Sequence, residues 1–381
     1  MWLTDRNRTT KGIGGIIKKT DIFQTEGIRY AGSKRTLIPF IYQAIRDLPI
    51  NTVMDGFSGS TRVSQFFKKA GYSVHANDLA AYSSVFGTAY LTNNDTRPDE
   101  TTKKIRYLNA LAPVDGFFTE TYGGTDDGKG NVVCTDGKKK PFQVKNARKA
   151  DAIRPEIDRI AANETERCIL LTSLILALDK VENTLGHQVA YLSRWAPRSY
   201  EDVTLKMPSL ISGSRSYKTT QTDVSSIRGQ YDLAYFDPPY NTNNTVTVTT
   251  RVRYASYYHL WTTLVKNDNP AVVGAANRRY DCSSDRLPGA VTPYESTRSE
   301  VVEAEVERLI RGANAQFVLF SYSNKGKIPP QKIVNIMSAL GRVTVSMIDH
   351  KENVQKSLTI NNLWPGDLSR NYEYLFLLEK L

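Results

Sequence analysis

The chain has 381 residues, with 50 Lys and Arg against 39 Asp and Glu, a formal net charge of +11, and 40% hydrophobic residues. That length allows about two or three domains, or one large α/β unit carrying an insertion, and the composition is that of a folded protein rather than a disordered one. Three cysteines, Cys134, Cys168 and Cys282, are too few and too scattered for a disulfide framework or a Cys-based zinc site. His75, His187, His259 and His350 show no metal-ligand spacing, so no metal is expected. The longest apolar stretch, Cys168 to Leu178, is about half a membrane span. The N-terminal stretch lacks an apolar h-region, so no membrane partner and a cytoplasmic location are expected. The positive surplus points to a polyanionic partner.

In chain order, residues 35–48 place Leu37, Ile38, Ile41, Ala44, Ile45 and Leu48 at helical spacing, with Ser33 as N-cap and Pro39 near the start. Residues 52–57, TVMDGF, read as a buried parallel strand, 60–70 as a helix closed by Gly71, and 73–78 as the next strand. A long helical and loop region follows. Within it, 138–149 (KKKPFQVKNARK) holds six basic residues and no acid, after a stretch rich in Gly, Asp and Lys that reads as an exposed loop. Residues 231–237, YDLAYFD, form another buried strand. An amphipathic helix is predicted at 296–312, a strand at 316–323, and a helix at 329–341 with Pro at its start and Gly at its end. The last segments, 342–350 and 372–380, are strands with no helix between them, so an antiparallel hairpin is expected. The sum is an α/β fold: a doubly wound, mostly parallel sheet with an antiparallel C-terminal strand.

Ligands of such sheets bind at the carboxyl ends of the strands. After the first strand comes Asp55-Gly56-Phe57-Ser58-Gly59-Ser60, where small residues let the backbone approach a ligand and a helix N-terminus offers free N–H groups. The second strand ends in Asp78, 23 residues after Asp55, a spacing suited to ribose hydroxyls. The turn lacks the full G-x-G-x-x-G pattern, which argues against an ordinary nicotinamide site. After the strand at 231–237 comes Asp237-Pro238-Pro239-Tyr240, then Asn241. Two prolines stiffen the turn and remove two N–H donors, leaving carbonyls outward. A carboxylate beside those carbonyls, with a flat ring next to them, suits a planar amine.

These motifs together resemble the α-group amino-methyltransferases of DNA: the Dam-like adenine methylases and the modification methylases of restriction systems. The resemblance runs from about residue 28 to the end. It rests on Arg29-Tyr30-Ala31-Gly32-Ser33-Lys34, on Asp55 to Ser60, on Asp78, on Thr222-Asp223-Val224 and on the intact DPPY at 237–240. Residues 117–122, 146–159 and 187–200 are similar to that family's recognition region, and 257–265 and 320–326 to its later motifs. The resemblance implies a Rossmann-like sheet built from residues 1–92 and 216–381, with a target-recognition insertion over 93–215. It implies S-adenosylmethionine as methyl donor and the N6 amine of an adenine, flipped out of duplex DNA, as acceptor. A restriction endonuclease encoded separately is a possible partner.

In that reading Asp237 and the Pro238 carbonyl accept the two amine hydrogens, Pro239 stiffens the turn and Tyr240 stacks on the base. Asp78 holds ribose hydroxyls and Asp223 with Val224 the cofactor's adenine, while Tyr30 and Ala31 face the donor and Lys34 pairs with its methionine carboxylate. Asp55, Phe57, Ser58, Gly59 and Ser60 complete the cofactor loop. No Pro-Cys pair is present, which disfavours a covalent cytosine mechanism. Lys138, Lys139, Lys140, Lys145, Arg148, Arg194 and Arg198, with Arg154, are candidates to grip DNA, mostly at phosphates, and Trp195 to pack or wedge. The rival readings are an amino-methyltransferase of RNA or of a protein amide, and a non-catalytic DNA-binding regulator that keeps the fold.

Overall fold

The computed structural model of the chain describes residues 21–94, 96–240, 253–283, 292–349, 354–358 and 372–381. The N-terminal stretch, Asn241 and His350 lie outside the described residues.

Among the described residues eight strands form the central sheet: β1 (Thr52–Asp55), β2 (Ser73–Asn77), β3 (Tyr217–Thr220), β4 (Tyr231–Phe236), β5 (Ala315–Ser323), β6 (Gly341–Asp349), β7 (Val354–Leu358) and β8 (Tyr372–Lys380). Their order is β7-β6-β8-β5-β4-β1-β2-β3. The run from β5 to β3 is parallel. Successive residues of these strands point to opposite faces, and both faces are covered, which is why the strands read as unbroken apolar runs. Val53, Leu233 and Leu319 join the core under α1 (Ile38–Ile45) and α2 (Arg62–Lys69). Met54, Ala234 and Phe320 join the core under α10 (Ser299–Gly312) and α11 (Pro330–Ser338).

Between β2 and β3 the chain builds α3 (Ala81–Leu91), α4 (Pro98–Ala110), α5 (Phe117–Tyr122), α6 (Val144–Ile160) and α7 (Glu164–Val181). With α9 (His259–Lys266), which follows the short α8 (Tyr254–Tyr257), they share a third core. The apolar stretch from Cys168 to Leu178 is the middle of α7, buried on every side. A helix apolar all round belongs inside such a bundle. Among the described residues no helix is long and apolar enough to cross a membrane.

Two local expectations change. The helix expected over 35–48 is a 3-10 turn, Lys34–Thr36, followed by α1, and the Ser33 side chain caps neither. Pro39 is the cause: its ring collides with the carbonyl four residues back, so it sits in the first turn and the α-helix starts only one residue before it. The C-terminal strands do pair antiparallel, with Gly341 opposite Lys380 and Asp349 opposite Tyr372, but they are not a simple hairpin. β7 lies between them in sequence and pairs with the outer edge of β6, while β8 inserts between β6 and β5. Residues 372–376 of β8 are all buried, and a strand buried on both faces belongs inside a sheet rather than at its edge.

A candidate active site at the strand ends

β1, β2 and β4 are neighbours, so the turns that follow them converge. Beyond β1 the chain passes Gly56 and Phe57, reaches Gly59 at φ +49°, and enters α2. A side chain at Gly59 would stand about 3.1 Å from the Tyr30 ring, so its backbone angle favours glycine and any larger residue would press on Tyr30. Asp78, just past β2, clamps this loop: one carboxylate oxygen accepts from the Gly59 N–H at 2.8 Å, the other from the Ala80 N–H at 2.9 Å. Burial raises the Asp78 carboxyl above its usual range, and these N–H groups hold it back.

A cleft of about 280 Å³ opens against these turns. Tyr30, Ala31, Phe57, Gly59, Asp78 and Tyr82 line one part of it; Lys34, Asp237, Pro238, Pro239, Tyr240 and Tyr254 line the rest with Glu295. The Tyr30 ring is stacked on Tyr258 at 4.4 Å, and the Ala31 N–H donates to the Tyr258 hydroxyl at 2.6 Å. Phe57 meets Tyr294 edge-on at 5.2 Å. The Tyr240 ring leans against Tyr322 at 4.8 Å. Aromatic faces beside surplus negative charge suit a cationic ligand, and Asp78 beside Gly59 offers acceptors to hydroxyls. That donor set fits S-adenosylmethionine.

The centre of the cleft holds a buried ion cluster. The Lys34 ammonium lies 2.8 Å from Asp237 Oδ1 and 3.2 Å from Glu373 Oε1, and donates to the Gly32 carbonyl at 3.1 Å. The structure thus pairs the Lys34 ammonium with the DPPY aspartate and a glutamate of β8, where the sequence suggests the donor's carboxylate. Burial alone lowers Lys34, but Asp237 and Glu373 outweigh it and hold the ammonium well above its usual range. Burial raises Asp237; Lys34 opposes the rise and Glu373 adds to it. Glu373 was not anticipated from sequence, although an acid in a strand otherwise reading YxYLFLL was a signal, since a carboxylate in a buried strand needs a partner.

Several expected cofactor residues lie elsewhere. Asp55 is fully buried and does not line the cleft. Its Oδ2 accepts from the Ser64 hydroxyl at 2.5 Å, and among the described residues its Oδ1 makes no hydrogen bond. Ser58 is buried, its hydroxyl 3.0 Å from that of Ser83. Ser60 is buried too, and both stay outside the lining. Asp223 accepts from the Ser225 N–H at 2.8 Å, and Val224 borders a second cleft of about 150 Å³ with Tyr294 and Phe236. In their stead Gln221 lines the main cleft. Cys282 also lines it, but burial pushes its thiol up to about 12, so it is no thiolate near neutrality. His259 is buried against the Gln188 carbonyl and lies outside the lining.

Asp55→Asn is expected to raise the melting temperature, and by more at pH 8 than at pH 5. Burial pushes this carboxyl from 3.8 to about 7. Between roughly pH 4 and 7 the folded protein keeps a proton that the unfolded chain has released, so this group removes stability as pH rises through that window. Thermal unfolding at the two pH values measures the difference; equal gains at both would count against it.

The basic residues between β2 and β3 divide into two sets. Lys140 is only 1% exposed and donates to Asp136 at 2.8 Å and to the Thr121 carbonyl at 2.9 Å, so it is not available to a phosphate. The Arg198 guanidinium is engaged by the carbonyls of Glu182 and Thr184. Arg154 is buried at 1% exposure, on the Val265 carbonyl and Asp158, and Trp195 packs with its N–H on the Thr125 carbonyl. These are internal ties: the structure buries Lys140 and Arg154 and engages half-buried Arg198 with backbone carbonyls. Lys138 is half-buried and donates to Asn277 at 2.7 Å. Lys139 is exposed. Lys145 and Arg148 sit in exposed ion pairs with Asp202 and Asp115, and Arg194 reaches the Lys129 carbonyl. The Gly-rich stretch is an ordered hairpin, Gly123–Asp126 against Val132–Val133.

A family model described as D12 class N6 adenine-specific DNA methyltransferase matches residues 30–278. The chain is 28% identical to the modification methylase StsI of Streptococcus sanguinis and 28% identical to the modification methylase LlaI of Lactococcus lactis subsp. lactis, covering 93% of this chain in each case. It spans about half the length of those two relatives, 52% and 55%. It is also 24% identical to the type II methyltransferase M.NlaIII of Neisseria lactamica, over 93% of this chain and 99% of that one.

Proposed function

We propose that this chain, which belongs to the D12 class N6 adenine-specific DNA methyltransferase family, methylates the N6 amine of a flipped-out adenine in duplex DNA, as the modification enzyme of a restriction system in the cytoplasm. The observation that carries this reading is Asp237, held at the end of β4 by Lys34, in a cleft with aromatic walls and surplus negative charge. S-adenosylmethionine, when bound, supplies a methyl group whose bond to sulfur breaks with the electron pair left on sulfur. An adenine amine is a poor nucleophile because its lone pair is delocalised into the ring. Asp237 Oδ2 and the Pro238 carbonyl accept its two hydrogens and free the lone pair to form the new N–C bond. Positive charge then grows on N6, facing Asp237, and a preorganised carboxylate stabilises it there. The methylated nitrogen sheds one proton to solvent. Tyr30, Phe57 and Asp78 hold the donor, Tyr240 stacks on the base, and residues 93–215 grip the duplex. An endonuclease encoded separately would cut the unmodified site.

Sequencing DNA from a host expressing the chain, read for N6-methyladenine, tests the reading: modified adenines in one sequence context are expected, and their absence overturns it. The grip makes a separate prediction. Lys139→Ala with Arg194→Ala is expected to weaken duplex binding several-fold and to flatten its salt dependence, by about 0.9 in log–log slope for each phosphate no longer neutralised. Arg148 is part of this set, because an exposed ion pair holds weakly and exchanges for a phosphate. Lys140→Ala is expected to lower stability and leave the slope unchanged. Binding titrations by fluorescence anisotropy at several salt concentrations separate the two behaviours.

A further inference from the structure

Glu373 lies at the start of β8, beside β5, which is itself beside β4. In register, Glu373 faces Ser323 and Phe320 faces Phe236, so the β8 insertion delivers a carboxylate to the same sheet end as Asp237. The Ser321 hydroxyl donates to Glu373 Oε1 at 2.8 Å, and that oxygen lies 3.2 Å from the Lys34 ammonium. The side chains of Lys34 and Glu373 are 6% and 5% exposed, and that of Asp237 is 17% exposed. Of the three, Asp237 is the most open to the cleft.

We propose that Glu373 is a positioning residue for methyl transfer: it anchors the Lys34 ammonium from behind, and so fixes the Asp237 carboxylate as the acceptor of the target amine. The proposal rests on the adenine-methyltransferase reading above. Two carboxylates share one ammonium, so Asp237 is oriented by Lys34 through Oδ1 without being fully neutralised by it. Were Glu373 absent, Lys34 would pair with Asp237 alone and quench the acceptor. Asp237 is faced by Lys34 ahead of α1, Glu373 on β8, Tyr235 on β4, Tyr240, Tyr254 on α8 and Asp55 on β1. Of these, Glu373 is the like charge in contact with the same ammonium.

The test compares the full-length protein with Glu373→Gln, whose amide oxygen can still accept from Ser321. Methylation of duplex DNA is expected to fall about 10- to 100-fold in kcat, with KM for DNA little changed. The acid limb of the pH–rate profile is expected to move to lower pH by about one unit, because a like charge beside Asp237 has gone. Glu373→Asp is expected to restore part of the rate. A role confined to stability would lower the melting temperature and leave the acid limb in place, and that result overturns the proposal. A second readout needs no methyl transfer: competitive acetylation of Lys34 by acetic anhydride, followed by peptide mass spectrometry, is expected to be several-fold faster in Glu373→Gln. Equal Lys34 labelling in the two proteins overturns the anchoring. If the parent protein methylates no adenine yet the labelling differs, the functional reading falls while the anchoring of Lys34 stands.

Discussion

Asp237→Ala is expected to abolish methyl transfer almost completely, lowering the rate by a factor of about a thousand or more, while folding and DNA binding survive. The first half follows from placement. Asp237 is the carboxylate of the cluster most open to the cleft, and removing one preorganised group aimed at developing charge costs about 100- to 1,000-fold, with loss of the amine acceptor added to it. The second half follows from the charge balance. Without Asp237, Lys34 keeps Glu373 as a carboxylate partner at 3.2 Å, so its buried ammonium is not left alone. Since burial raises Asp237 above the usual carboxylate range, its ionised form is a cost to the folded state above neutral pH, and the variant is expected to melt at the same temperature as the parent or higher at pH 8. A labelled-donor assay, anisotropy with duplex DNA and a thermal scan measure the three quantities. Near-normal methylation would remove Asp237 from the mechanism.

What the sequence made legible follows a physical line. The strands were readable because both their faces are buried, and the turns after β1 and β4 were readable because Gly59 and the two prolines constrain the backbone locally. Side-chain partners were not readable in the same way. Lys34, in a loop just ahead of α1, invited pairing with a ligand, because the strand that supplies Glu373 arrives at the far end of the chain and through an insertion of β8 between β5 and β6 that no local pattern signals. The same gap separates Lys139 from Lys140. The two are adjacent in a basic run, but one is exposed, and the other is turned inward onto Asp136 and the Thr121 carbonyl. Asp55 looked like a ligand of the cofactor because it precedes the glycine turn. Its last-in-strand position, opposite Ala76 and Tyr235, instead buries it beneath the loop.

Replacing Lys34 by Met should produce the largest loss of stability of any single change in the cleft, roughly 3–5 kcal/mol, the scale for breaking a buried ion pair from one side. The substitution keeps much of the side chain's volume and removes the charge, its two ion pairs and its hydrogen bond to the Gly32 carbonyl, so packing contributes little to the loss. Two carboxylates then lose the cation they share. Both rise in pKa, and the penalty depends on whether they must ionise: it is small at pH 5, where the folded protein protonates them at little expense, and grows as pH rises through neutrality. The melting temperature of Lys34→Met relative to the parent should therefore fall further at pH 8 than at pH 5. Adding Glu373→Gln to Lys34→Met should recover part of the loss at pH 8, because one of the two repelling charges has been removed. If the single and double variants melt together at pH 8, or the deficit of Lys34→Met is the same at both pH values, then charge is not what Lys34 contributes. Methylation should stay lost in both variants, since neither restores the cation that orients Asp237.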